Sequence, residues 1–596
     1  MTQPFPGFEQ SEEARPRERP DGRVVRVQPD ITAVSGAFDY VVPSEWDTTE
    51  RSEDVRVGAL VRIDFNGRRT AGWVTSETTE PDPTVELRPL SKWSGHGPPG
   101  EVVDLARWAA WRWAGRVVHF LRAASPPRMI RRLPSKATIG SSPEAAADSA
   151  AGAFQDGVTM VRMAPNDSGL ELAVAAASRG RALVLVPTIE QRRHTARGLR
   201  ERGFTVAEYD DQWERSAVGA VTVGTRRAAL APLTPLDAVL VIDEHDSAYK
   251  EERTPAWNAR DLAIERARRS DAPCVLTSPA PSLDALQISD RLLAAERSTE
   301  RNGWPLVEVI DLRAQDRPGL LTEAIVPLLR GPGPIACILN RKGRARMLTC
   351  VRCDSLAACT ECGGALREVD DGLRCARDGI VRPVVCAECG GTRMKHLRVG
   401  ISRMAEDLTI LAKRDVVEVE ADTPQRDLRG DRLFVGTEAL LRRIPDARVV
   451  IFLDFDQELA VPRYRAAEEA FVLLALAARR LGPRGSGGRL VIQTRRPNDV
   501  VVEAALHGDP ARVARAQRDV REVFRQPPYG AWALVSGAGA ASFIDALRDL
   551  ESGVDCHRRD DRWRVSAPDH QTLLDALSRV DRGSERVRVE VDPLDA

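Results

Sequence analysis

The chain has no run of about twenty apolar residues and no opening stretch that joins a basic start to an apolar segment. A protein without a membrane span, located in the cytoplasm, is expected. Lysine is scarce: the only six are Lys92, Lys136, Lys250, Lys342, Lys395 and Lys413. Its basic residues are thus nearly all arginine, which grips phosphate bidentately, although a coding bias toward Arg and Ala accounts for the same scarcity. Charge of either sign is not in excess. With a net charge of −1, contact with a polyanion has to come from local basic patches. Cysteine is sparse except in one place, since seven of the ten lie between Cys350 and Cys389. In a chain without an export signal, such crowding points to metal and away from disulfides.

What is present is an ordinary globular composition, 43% hydrophobic and 29% charged, in a chain too long for one core. Residues 1–21 carry Glu, Arg and Pro without hydrophobic patterning and read as a flexible tail. Residues 22–98 alternate in short segments broken by Gly, Asn and Asp, the pattern of a small β-rich domain. Helical spacing from Glu101 to Leu121 carries Trp108, Trp111 and Trp113, read as core residues in preference to a base-stacking platform. Short, fully apolar segments then alternate with amphipathic stretches over 151–333 and again over 334–499. That is the signature of parallel sheets with helical crossovers, so two α/β lobes are expected. A smaller α+β pattern fills 500–596.

The cysteine cluster interrupts the second lobe at 350–395. Cys350-x2-Cys353, Cys359-x2-Cys362 and Cys386-x2-Cys389, with Cys375 between, form a strong zinc pattern, because each pair can place two thiolates on one tetrahedral ion. One site is expected from Cys350, Cys353, Cys386 and Cys389. A second would use Cys359, Cys362 and Cys375. Seven cysteines cannot close two tetrads, so Asp378 either completes the second site or is a turn residue, and that site is either filled or incomplete.

Two lobes with a cysteine-rich insertion in the second resemble the PriA family of replication restart proteins from about residue 22 onward. Phe38-Asp39-Tyr40-Val41-Val42-Pro43 is similar to the family's FDYxxP segment. Gly224-Thr225-Arg226-Arg227-Ala228, Asp243-Glu244-His245-Asp246, Leu339-Asn340-Arg341-Lys342-Gly343, Ile492-Gln493-Thr494 and Pro527-Pro528-Tyr529 follow in the family's order. The resemblance implies RecA-like helicase lobes, a 3′-end DNA-binding domain over 22–98 and a winged-helix-like or linker region over 99–150. It also implies a pocket for a terminal 3′ nucleotide, lined by Phe38, Asp39, Tyr40, Asn66, Gly67 and Arg88, although Asp64-Phe65-Asn66-Gly67 departs from the family's Pro-Phe-Gly turn.

The nucleotide loop departs further. A working P-loop places Lys on the β/γ phosphates and Ser/Thr on Mg²⁺. Here Ser168-Gly169-Leu170-Glu171 puts leucine and glutamate at those two positions. Two like unit charges about 4 Å apart repel by roughly 4 kcal/mol at an effective dielectric near 20, so an acid facing the triphosphate would oppose ATP binding. The acidic box is one residue short, leaving Asp243 and Glu244 as relics that could still hold Mg²⁺, and of the finger arginines Arg480 remains while Pro483 replaces the last. The reading is a replication restart factor that recognises branched forks with an exposed 3′ end and promotes primosome assembly and helicase loading without its own unwinding. Its partners would be forked DNA, primosome and loader proteins and a single-stranded DNA-binding protein, at the nucleoid. The alternative is an active 3′–5′ helicase with an ATP site rebuilt around Asp243, Glu244 and Arg480.

Overall fold

The computed structural model describes residues 22–34, 36–49, 51–78, 86–140, 148–315, 319–340, 348–353, 355–361, 366–369, 372–375, 379–396, 401–420, 423–550, 553–559, 561–583 and 585–594. Among them no helix is long and apolar enough to cross a membrane.

A six-stranded sheet opens the chain, ordered Arg88–Pro89, Phe38–Val41, Val24–Pro29, Arg68–Thr78, Leu60–Phe65, Lys92–Gly95. Its central hairpin is set by Asn66 and Gly67, whose φ values of 49° and 74° give the two-residue turn that matches the right-handed twist of paired strands. Val25, Val27, Tyr40, Val61, Ile63 and Val74 form its core.

The region expected to be winged-helix-like or a linker holds two packed helices, Gly100–Arg112 and Val117–Ala124, and no strand among the described residues between 96 and 157. Paired strands are what make a wing, so these residues instead act as a helical bracket. Trp113 is buried beside Phe120, with ring centroids 6.3 Å apart, and Phe120 meets Trp257 of the following lobe at 6.2 Å. The indole of Trp111 donates to Asp575 at 3.1 Å. The tryptophans are thus packing residues.

Both α/β lobes are built on wholly parallel sheets. In the first the order is Arg291–Ala294, Val158–Arg162, Cys274–Ser278, Ala238–Val241, Ala182–Leu185, Val221–Gly224, Val206–Tyr209. In the second it is Leu306–Asp311, Arg489–Thr494, Val449–Phe452, Ile335–Ile338, Leu433–Gly436, Val416–Val419. Each sheet has a separate apolar cluster on either face, which is why central strands such as Ala182–Leu185 are apolar at every position. These are RecA-like lobes. The cysteine-rich insertion carries two small antiparallel sheets, one of them pairing Leu348–Cys350 with Met394–His396.

A four-stranded antiparallel sheet, ordered Asp555–Arg559, Arg562–Ala567, Ala531–Ser536, Arg588–Val591, forms the last domain with helices Ala540–Asp549 and His570–Arg579. It is fastened to the first lobe by Lys250, whose Nζ donates to the carbonyls of Val591 (2.8 Å) and Asp592 (3.0 Å). The Asp592 carboxylate accepts from Arg112 at 2.7 Å and meets His570 Nε2 at 2.7 Å. Helical bracket, first lobe and last domain therefore share one buried polar hub.

Candidate functional site

At the N-terminal sheet, the residues of the expected 3′-end pocket divide between two faces. Side chains alternate along a strand, so Phe38 and Tyr40 share a face and Asp39 lies on the other. Asp39 stands opposite Arg26 in register and accepts from its guanidinium at 2.8 and 3.2 Å. Tyr40 is buried and its hydroxyl donates to the Asp64 carbonyl at 3.0 Å. The Asp64 carboxylate accepts from the Gly67 amide at 3.0 Å and from Arg88 at 2.9 Å. Phe38 is 41% exposed and leans on Phe65 with centroids 5.1 Å apart. The structure therefore ties Tyr40, Gly67 and Arg88 to Asp64, with Phe38 against the neighbouring Phe65 and Asn66 in the turn. Asp64 was missed in the sequence, although its place two residues before Asn-Gly marks a residue able to bond the turn.

In the first lobe, the loop Ala164–Gly169 leads into helix Leu170–Ser178, with Gly169 at the N-cap position and φ 71°. A Cβ on Gly169 would lie 3.1 Å from Ile242. The loop satisfies itself: Asp167 accepts from the Gly169 amide at 2.9 Å. Leu170 packs toward Gly198, where an added Cβ would come within 2.8 Å of its methyls. Glu171 corrects an expectation. Its carboxylate turns outward to Arg202 at 3.0 Å, because a solvated ion pair is a better environment than an unpartnered acid in the cleft. Ser168 stays exposed on the loop.

The acids of the box are engaged by partners within the protein. Glu244 is buried and accepts from Arg260 (2.9 Å), the Ser282 amide (2.8 Å) and the Ser282 hydroxyl (2.9 Å). Asp243 accepts from Gln191 Nε2 at 3.0 Å and, through both oxygens, from Arg479 of the second lobe at 2.7 and 2.6 Å. Burial pushes the Asp243 carboxyl up, but the adjacent Arg479 guanidinium outweighs it and holds the group below the usual carboxylate value. Arg479 Nε also donates to the Pro165 carbonyl of the nucleotide loop at 2.6 Å. Asp246 accepts from Arg442 at 2.7 Å, and His245 Nδ1 lies 2.7 Å from Ser278 Oγ.

Arg480 is a second correction. It donates to carbonyls of its own lobe, Leu441 at 2.7 Å and Pro445 at 3.4 Å. Neighbours on a helix point about 100° apart, so when Arg479 faces the cleft Arg480 cannot. The space left among His245, Asp246, Pro279, Arg442, Val472, Ala475, Leu476 and Arg479 is about 20 Å³, room for a single water.

In the insertion, Cys350, Cys353, Cys386 and Cys389 bring their four sulfurs within 4.8 Å of one another. Cys350 and Cys389 are 3.6 Å apart, as are Cys353 and Cys386. Zn–S bonds of about 2.3 Å at tetrahedral angles require S–S separations of roughly 3.8 Å, so the donor set fits zinc. The Arg352 amide points at Cys350 Sγ from 3.4 Å. A Cβ at Gly391 would lie 3.1 Å from Cys350 Sγ and 3.4 Å from Cys389 Sγ, which explains the glycine. Of the second expected set, Cys359 and Cys375 are buried in one small core, while Cys362 and Asp378 lie outside the described residues, as do Arg341, Lys342 and Gly343.

Residues 24–126 match the family described as the PriA 3'DNA-binding domain (3'BD). The chain is 27% identical over 397 residues to the replication restart protein PriA of Bacillus subtilis, covering 60% of this chain and 49% of that one. It is 27% identical over 567 residues to the probable replication restart protein PriA of Mycobacterium tuberculosis, covering 82% and 83%. The matched stretch spans about half the length of the Bacillus subtilis relative and 44% of the Synechocystis one. Among solved structures, the DUF1998 helicase MrfA bound to DNA is 12% identical with a TM-score of 0.33, over 74% of this chain and 63% of that one.

Proposed function

We propose that this PriA-family chain recognises branched DNA with an exposed 3′ end and serves as an assembly platform for replication restart, without hydrolysing ATP. The carrying observation is Arg479: its guanidinium occupies both oxygens of Asp243 and the nucleotide-loop carbonyl of Pro165 at once. The carboxylate that would hold the metal is taken by that guanidinium, and Leu170 and Glu171 stand where phosphate transfer needs a lysine and a hydroxyl.

DNA contact requires no hydrolysis. Phe38 supplies an exposed ring on which a terminal base can stack, the Asn66-Gly67 turn allows close backbone approach, and Arg88 offers a phosphate contact. Asp64 orients Arg88 and the turn together. The cysteine tetrad would hold a structural zinc ion, fixing the insertion's fold and leaving no open coordination position for chemistry. Primosome and helicase-loading proteins, and a single-stranded DNA-binding protein, are the partners this role calls for.

One preparation tests the reading. Binding to forks with a free or a blocked 3′ hydroxyl is measured beside DNA-stimulated ATP hydrolysis. Tight binding that prefers the free hydroxyl, without turnover, is expected; DNA-dependent turnover would overturn it.

A further inference from the structure

Arg479 is one of several contacts by which the second lobe holds the first. Arg442 reaches Asp246 at 2.7 Å. Arg465 pairs with Asp284 through both guanidinium nitrogens, one contact at 3.0 Å. Glu468 accepts from the Leu283 amide at 2.8 Å and is itself paired with Arg521. Two of these ion pairs are poorly accessible to water, with side-chain exposure of 23% for Arg479 and 5% for Asp243, and 13% and 17% for Arg465 and Asp284; Arg442, at 42%, is the exposed one. They spread from the nucleotide loop at one end of the cleft to the start of helix Leu283–Ile288 at the other.

In a two-lobe motor the lobes are drawn together by the phosphates and metal of a bound nucleotide, and parted when these leave. Here the cation that bridges the cleft is covalently part of the second lobe. We infer that Arg479, with Arg442 and Arg465, is a built-in lock that keeps the two lobes permanently closed, so that they act as one rigid body whose geometry is independent of nucleotide. Arg479 stands in for the ligand: its guanidinium neutralises Asp243, which a metal would otherwise claim, and its Nε satisfies the loop carbonyl of Pro165. Closure then needs no energy input and cannot be reversed by hydrolysis. A permanently closed pair of lobes presents DNA and protein partners with one fixed surface.

This rests on the reading of the chain as a non-hydrolysing platform, and one experiment separates the two. Spectroscopic labels are placed by unnatural amino acids at the exposed positions Arg268 on the first lobe and Ile410 on the second, and the interlobe distance distribution of the full chain is measured. The native chain should give one narrow distance, unchanged by β,γ-imido-ATP with Mg²⁺ or by forked DNA. Arg479→Ala should broaden it, and Arg442→Ala added to Arg479→Ala should broaden it further. The exchange Asp243→Arg with Arg479→Asp should restore the narrow peak, and circular dichroism shows that each variant is folded. A broad native distribution, a shift on adding nucleotide, or an unchanged narrow peak when Arg442→Ala, Arg465→Ala and Arg479→Ala are combined overturns the lock. Fork binding by the same samples reports separately: a narrow peak without binding removes the fork reading and leaves the lock standing.

Discussion

Arg479 and Asp243, 236 positions apart in the chain, form a two-pronged ion pair of 2.7 and 2.6 Å across the boundary between the lobes. Truncating one member of such a buried pair strands the other. Arg479→Ala should therefore cost about 3 kcal/mol or more of unfolding free energy, read as a lower urea midpoint. It should bring no ATP hydrolysis, since the missing lysine and hydroxyl are not restored.

The same pair sets an acid limit. Asp243 ionises below its usual 3.8 in the folded chain, so the folded state binds fewer protons than the unfolded one in that range. The stabilisation is complete above the ordinary carboxylate value and is lost as pH falls through the depressed one. Melting temperature should be insensitive to this pair between pH 5 and 8 and decline below about pH 4, and Arg479→Ala should flatten that decline.

Glu458 has the opposite sign. Burial, reinforced by the nearby Glu438 charge and opposed by the Asn340 amide, raises its carboxyl from 4.5 to about 7. The unfolded chain gives up this proton first, so stability falls as pH rises from 4.5 toward 7. Glu458→Gln keeps an acceptor for the Asn340 amide, now 2.6 Å away. It should melt higher than the native chain at pH 8 and close to it at pH 5.

At the N-terminal sheet, Phe38→Ala should weaken binding to forks with a free 3′ hydroxyl by the stacking of one base, about 1–3 kcal/mol, and reduce the preference over blocked ends. Asp39→Ala should do less, because that carboxylate is engaged with Arg26 on the other face. Fluorescence anisotropy with the two fork types distinguishes them, and equal losses would contradict the division of faces.

Elemental measurement should find at least one zinc per chain. Gly391→Ala crowds Cys350 Sγ and Cys389 Sγ with a methyl group, so zinc should pass to a colorimetric chelator faster than from the native protein, while the lobes keep their helical signal.

Much of this was legible in the sequence. Segments such as Ala182–Leu185 and Val449–Phe452 are apolar at every position because both faces of their sheets are covered. The spacing of Cys350, Cys353, Cys386 and Cys389 could be read because chelation by neighbouring pairs is a local constraint. What could not be read depended on distant partners. The choice between Arg479 and Arg480 is decided by helix phase against another lobe. The outward turn of Glu171 depends on Arg202, 31 residues away. The face taken by Asp39 follows from strand alternation, which the resemblance to a motif conceals.

The polar hub around Lys250 has a mechanical consequence. Because its ammonium grips the carbonyls of Val591 and Asp592 while Arg112 and His570 grip the Asp592 side chain, the final strand works as a keystone. Trimming the chain from Arg588 onward would remove, in one cut, the contacts by which the bracket, the first lobe and the last domain meet at this point.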